Sequence, residues 1–279
     1  MSDAPYKVVD EFQETQYTSI NEVEIAEGSE NTFVSKKVPL RYIGENLEDV
    51  DLTEYDELAR NSIEMKTAAL LQNIEDTENI GLEYHRLVHA KGYRLSYDPE
   101  TGHIYIEILS PIIKDSSRFS DLFPNKEQCT VKNYVLFLNQ MSTALDMLKF
   151  KVGVAHQDLG KPDNILFNPV RGFYIIDFNI AKEYVGGQDD NSKPWFILDD
   201  YMSFLDHIQK FTMFLERFVP ELNVAEINKL IDEARSEYEK KYTKTDYSDY
   251  KSAPRFSDIA TKIITIAYNT PSGDGGKTT

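Results

Sequence analysis

The stretch from His156 to Lys182 constrains the fold of this 279-residue chain more than any other. It reads His156-Gln157-Asp158-Leu159-Gly160-Lys161-Pro162-Asp163-Asn164, followed by the apolar Ile165, Leu166 and Phe167. After a turn, Tyr174, Ile175 and Ile176 lead into Asp177-Phe178-Asn179. Polar residues crowded between short apolar runs predict two loops joined by a buried β-hairpin. The loops carry two carboxylates (Asp158 and Asp177), a carboxamide (Asn164) and a lysine (Lys161). Phosphoryl transfer calls for such a set: one carboxylate for the proton of the incoming hydroxyl, a second carboxylate and an amide for Mg²⁺, and a cation for the charge on the moving phosphate.

On these residues the stretch resembles the catalytic loop (H-x-D-L-K-P-x-N) and D-F-G segment of eukaryotic-type protein kinases. The resemblance implies a two-lobed α+β fold, with a small antiparallel-sheet lobe plus one helix over residues 1–110, a mainly helical lobe over 111–270, a disordered tail over 271–279, and ATP between the lobes. It gives Asp158 the role of orienting and deprotonating the acceptor hydroxyl, Lys161 that of stabilising the transferring phosphate, and Asn164 and Asp177 that of holding Mg²⁺. The family places its amide five positions after the catalytic Asp, where this chain has Asp163. One inserted residue, Gly160, restores the register, since glycine absorbs an insertion through backbone angles other residues avoid. Asp163 is the alternative metal ligand.

Alternation and turn chemistry predict strands over 6–12, 20–26 and 32–38 and a hairpin over 93–109. Residues 32–38 are similar to the kinase strand V-A-x-K, which implies that Lys36, or else Lys37, holds the α- and β-phosphates of ATP. A helix is expected over 53–74, its apolar face marked by Ile63, Leu70 and Ile74. There Glu64, with Glu57 as the competing choice, is expected to pair with Lys36. Ile106-Glu107-Ile108-Leu109 resembles the kinase hinge, which implies adenine contacts to backbone at Glu107 and Leu109 with Ile106 lining the pocket behind. An amphipathic helix over 131–149, with Val135, Leu138, Met141, Leu145 and Leu148 inward, leads into the loop. Further helices are expected along 227–234 and 259–267, with a solvated stretch over 237–250.

The chain also departs from the family. Residues 13–18 contain no glycine where kinases carry G-x-G-x-x-G, which implies altered or weaker nucleotide binding. Asp200-Tyr-Met-Ser-Phe204 resembles the start of the central large-lobe helix, yet no A-P-E precedes it, and Gln157 stands where the family has an arginine that reads a loop phosphate. Control by phosphorylation at Tyr184 or Ser192 is therefore not expected. The leading expectation is an ATP-dependent Ser/Thr protein kinase. Its alternatives are a pseudokinase that binds or scaffolds with little turnover, and a small-molecule kinase of the aminoglycoside or choline type.

Composition narrows the partners. A formal net charge of −17 excludes non-specific binding to nucleic acid or to an anionic membrane face, and fits a basic protein substrate or regulatory partner. Cys129 is the single cysteine, so no intrachain disulfide forms, and no apolar run reaches bilayer length. A cytoplasmic protein is expected. His85 and His89 have zinc-ligand spacing, but the sequence offers no third ligand beside them, and a structural role is expected instead.

Overall fold

The computed structural model describes residues 7–14, 19–24, 32–40, 64–73, 86–97, 104–183, 193–242 and 253–269. The chain separates into two compact units: Met1–Asn79 with Val88–Lys114 and Asp177–Ile180, and Ile80–Leu87 with Asp115–Ile176 and Ala181–Thr279. Its class is α+β, with small antiparallel sheets and several helices.

The first unit is built on a five-stranded antiparallel sheet in the order β1-β2-β3-β5-β4. The strands are β1 (Lys7–Glu14), β2 (Ser19–Glu24), β3 (Thr32–Leu40), β4 (Gly92–Tyr97) and β5 (Ile104–Pro111). Register shifts after Val8 and Glu11 bend β1 against β2. The helix α1 (64–73) is rich in strong helix formers and buries Glu64, Thr67, Ala68 and Leu71, spaced as one helical face. This face differs from the expected one: Leu70 is only half-buried, and Ile63 and Ile74 lie outside the described residues. Ala68 joins Ala90 and Ile108 in a small core, with Met65 and Ile106 packed against it.

The second unit contains a three-stranded sheet, β6 (Ser117–Arg118), β8 (Ile165–Asn168) and β9 (Gly172–Ile175), in the order β6-β8-β9. A two-stranded ladder joins β7 (Val154–Ala155) to β10 (Lys182–Glu183). Its helices are α2 (Phe119–Leu122), α3 (Val131–Met147), α4 (Lys193–Glu216), α5 (Val224–Tyr242) and α6 (Phe256–Tyr268). Thr130 caps α3 by accepting from the Asn133 N–H at 3.2 Å. Of the expected α3 stripe, Leu138, Met141, Leu145 and Leu148 are buried and Val135 is half-buried. Aromatic rings fill the core: Phe119 stacks on Phe137 at 4.7 Å and meets Phe173 and Phe211 edge-on.

Two devices shape the approach to the 156–164 loop. The end of α3 widens into a π-helical turn, Leu148–Val152, and Gly153 stops it with a left-handed φ of 74°. Asp146, buried one turn earlier, caps α6: its carboxylate accepts from the backbone of Phe256 at 2.8 Å and of Ser257 at 3.1 Å. From the π turn, the buried Lys149 donates to the Pro254 carbonyl at 3.0 Å.

Among the described residues no helix is long and apolar enough to cross a membrane.

Candidate functional site

Chemistry in the second unit gathers on the loop between β7 and β8. Pairing of Val154 with Glu183 and of Ala155 with Lys182 fixes how the chain enters it. His156 is fully buried. Its Nδ1 accepts from the Asp158 N–H at 3.2 Å, so the ring proton sits on Nε2 and donates to the Ile176 carbonyl at 2.8 Å. The histidine is a brace, turned away from any role as a base.

Helix α4 grips the same loop from below. Asp200, buried at 3 % exposure, accepts from the backbone N–H of His156 at 2.7 Å and of Gln157 at 2.8 Å. Two turns further along the same face of α4, the His207 Nε2 donates to the Leu159 carbonyl at 2.6 Å. Burial lowers the pKa of His207, which keeps the ring neutral and suits it to a single donated bond. Gln157 sits between these anchors at φ 73°, a left-handed conformation that costs a non-glycine residue about 1 kcal/mol. The expected start of this helix at Asp200 falls seven residues late, because α4 already begins at Lys193, with Pro194 in its first turn.

Three of the expected site residues meet on this platform. The Lys161 ammonium lies 2.6 Å from Asp158 Oδ2. The Asn164 amide nitrogen donates to the Asp158 carbonyl at 2.8 Å and to its carboxylate at 3.1 Å. A turn closed by the Lys161 N–H on the Asp158 carbonyl brings them together, and a 3₁₀ turn over Pro162–Asn164 follows. Gly160 lies in that exposed turn without a positive φ, so it does not use the left-handed freedom expected of it. Gly172 does use that freedom, at φ 93°, in the β8–β9 turn. There the Gln140 side chain from α3 accepts from the Phe173 N–H at 2.9 Å and donates to the Arg171 carbonyl at 3.3 Å.

Asn164 and Asp163 face different partners. Asn164 is buried, and with its NH₂ turned toward Asp158 the amide oxygen is the atom left to meet a cation. The Asp163 carboxylate is exposed and pairs with Arg118 at 3.1 Å.

The first unit holds the other expected residues and is described by itself. Lys36 Nζ meets the Glu64 carboxylate at 3.3 Å, as expected for this pair, while Glu57 lies outside the described residues. Lys37 instead stands over the Tyr105 ring at 4.1 Å. Glu107 and Leu109 lie in β5, which has β3 on one side and β4 on the other; Glu107 is opposite Lys37 and Arg94, and Leu109 is opposite Ser35 and Gly92. The Leu109 carbonyl accepts from the Lys91 N–H at 2.8 Å, so the ladders engage the backbone expected to meet adenine. Ile106 packs toward the core of Ala68 and Ile108. Asp177 adopts a left-handed φ of 64° directly after the hairpin, a conformation rare outside glycine.

No known family model matches the chain, and no curated protein does.

Sequence reasoning missed Asp200 as an anchor, His207, Asp146 and Lys149. All four are buried polar side chains, but their neighbours one turn away include Ser142, Thr143, Ser203 and Lys210, so no clean break in an apolar face marked them in the sequence. Other candidates recede. Burial pushes the Cys129 thiol up to about 11, which keeps it protonated and unreactive. His89 is buried, its Nε2 lies 3.1 Å from the Lys91 ammonium, and His85 lies outside the described residues. Among the described residues no three His, Cys, Asp or Glu side chains gather as a metal centre. Tyr184, Ser192 and residues 15–18 and 271–279 also lie outside the described residues.

Proposed function

We propose that the chain is a divergent phosphotransferase with a two-lobed, protein kinase-like fold, moving the γ-phosphoryl group of ATP to a serine or threonine hydroxyl of a protein. The observation that carries this reading is the Asp158–Lys161–Asn164 cluster, held on a loop whose backbone is pinned by Asp200, His156 and His207. Rigid presentation matters here because this chemistry depends mainly on positioning and charge stabilisation.

In this reading Asp158 accepts the proton of the acceptor hydroxyl as its oxygen attacks, and the Asn164 amide fixes the carboxylate's orientation. Lys161, 69 % exposed and anchored only by its pair with Asp158, swings to the equatorial oxygens of the phosphoryl group. Lys36, oriented by Glu64, holds the nucleotide phosphates. The Asn164 oxygen and the Asp177 carboxylate are hard ligands that fit Mg²⁺. When bound, Mg²⁺ supplies charge neutralisation on the phosphates.

A second reading, a nucleotide-poor binding module, draws on the ladder pairing around Glu107 and Leu109, which leaves adenine to seek other backbone. Thermal unfolding with and without ATP and Mg²⁺ separates the two. Millimolar ATP that binds the folded state raises the midpoint by mass action, and the rise should require Mg²⁺ and vanish in Lys36→Met. Transfer of phosphate to a mixed protein acceptor should vanish in Asp158→Asn and Asp177→Asn while both variants stay folded. An unshifted midpoint, or wild-type transfer by Asp177→Asn, defeats the phosphotransferase reading.

A further inference from the structure

Beside the Asp158 cluster stands a second ion pair that the proposed chemistry does not use. Arg118 belongs to β6, where it pairs in register with Leu166 of β8, two residues after Asn164. Its backbone N–H is also accepted by the Asp121 carboxylate at 3.2 Å. The stem of the side chain is thus fixed at both the strand and the start of α2. From there Arg118 Nη1 reaches Asp163 Oδ2 at 3.1 Å.

The two pairs on this loop share one orientation. In the Asp158–Lys161 pair the lysine side chain is 69 % exposed and the aspartate 14 %, and in the Arg118–Asp163 pair the values are 65 % and 52 %. The cation is the more exposed member each time, by a wide margin at Lys161 and a narrow one at Arg118. The rim of the loop therefore presents two cations to solvent, on a chain whose net charge is −17. At physiological salt, charges are screened over roughly 8 Å, so this local sign governs what a ligand meets at the rim. An exposed pair of this kind adds little to stability, and it yields readily to a better partner. A guanidinium offers five N–H donors in a planar fork, and its Nη1 contact with Asp163 engages one end of it. A carboxylate on an incoming chain can take the remainder.

We propose that Arg118 is a specificity-determining residue that selects acceptor segments carrying Asp or Glu close to the phosphorylated hydroxyl. Lys161 adds to the attraction, and Asp163 acts as the internal competitor that keeps Arg118 extended when no acceptor is bound. A cationic acceptor such as an aminosugar meets the outer cations and is disfavoured. The inference deepens the phosphotransferase reading and rests on it for the acceptor hydroxyl.

The test uses three serine peptides of equal length whose flanking residues are acidic, neutral or basic, offered to the full chain. Binding is read by fluorescence anisotropy without nucleotide, and transfer is read as KM and kcat with ATP and Mg²⁺. The acidic peptide should bind most tightly. Arg118→Ala should weaken it about three- to fivefold and Arg118→Glu by about tenfold or more, with KM rising and kcat nearly unchanged. Asp163→Asn breaks the same pair from the other side, yet it should tighten the acidic peptide by about twofold, because it frees the fork. A merely structural pair would give losses of the same sign in both variants. Equal affinity for the three peptides, or Arg118→Glu and Asp163→Asn shifting it in the same direction, overturns the proposal. Arg118-dependent binding of the acidic peptide without any transfer supports the proposal and defeats the phosphotransferase reading instead. Transfer that ignores flanking charge does the reverse.

Discussion

Replacing Asp200 tests whether α4 holds the loop, and its magnitude can be worked from two hydrogen bonds. The carboxylate accepts from the His156 N–H at 2.7 Å and from the Gln157 N–H at 2.8 Å, in a place only 3 % exposed. Bonds from a neutral donor to a charged acceptor contribute about 1.5–3 kcal/mol each, and a buried N–H left without a partner costs about 1–3 kcal/mol. Asp200→Ala strips both acceptors. His156 is buried and bears the full penalty, whereas Gln157 is half-exposed and water can replace part of its loss. Removing the buried carboxylate also returns some desolvation, which leaves a net loss of about 3 kcal/mol. Asp200→Asn keeps one acceptor and turns its NH₂ toward the other N–H, so about 2 kcal/mol is expected. Urea unfolding followed through Trp195, the one tryptophan and part of α4, reads the stability. Amide exchange at His156 and Gln157 reads the local effect, with protection falling about a hundredfold in the alanine variant. A loss below about 0.5 kcal/mol in Asp200→Asn, with exchange unchanged at both amides, would refute the reasoning.

His207 makes stability depend on pH. Burial lowers its folded pKa below the unfolded value near 6.5, so the unfolded chain binds more protons, and stability is complete above that value and falls as pH drops beneath it. The slope is at most about 1.4 kcal/mol per pH unit, and His207→Gln should flatten this component in urea titrations between pH 7 and 5; an unchanged slope argues against the assignment. At the two loop glycines, alanine should behave oppositely. Gly172 has φ +93° and a Cβ there would collide with Gln140 Oε1, so Gly172→Ala should cost about 2–3 kcal/mol through strain and loss of the Phe173 N–H bond. At Gly160 the nearest atom to a Cβ is Ser203 Oγ at 3.4 Å, and Gly160→Ala should change the unfolding free energy by less than about 0.5 kcal/mol. Asp146→Ala should loosen the start of α6 by about 1–2 kcal/mol, seen as faster exchange at Phe256 and Ser257.

Patterns carried by neighbouring residues were legible in the sequence; partners chosen across long stretches of chain were not. Alternation marked β1 to β5 to within a few residues, and the spacing of Leu138, Met141, Leu145 and Leu148 marked α3. The gathering of Asp158, Lys161 and Asn164 was legible because they share one loop. Alternation says which residues share a face of a strand, not whether another strand lies beyond it, so nothing local showed that the Glu107 and Leu109 backbone expected to meet adenine lies between β3 and β4. The start of α4 was misplaced because a motif outweighed Pro194, a residue that fits a first helical turn. Asp146 and Lys149 find their partners more than a hundred residues later in the chain, at Phe256, Ser257 and Pro254. No local pattern announces such a match.

The π turn at Leu148–Val152 is a store of chain length. Such a turn holds one residue more than an α-helical turn while winding the chain through nearly the same total angle. Deleting one of its residues should therefore tighten it to an α-helical turn and leave Gly153 facing nearly the same way, whereas losing a second would rotate everything downstream by about 100°. His156 would then turn away from Ile176, and Asp200 would face the wrong amides. The turn thus absorbs one residue of length variation ahead of the loop, provided that Lys149 keeps its bond to the Pro254 carbonyl.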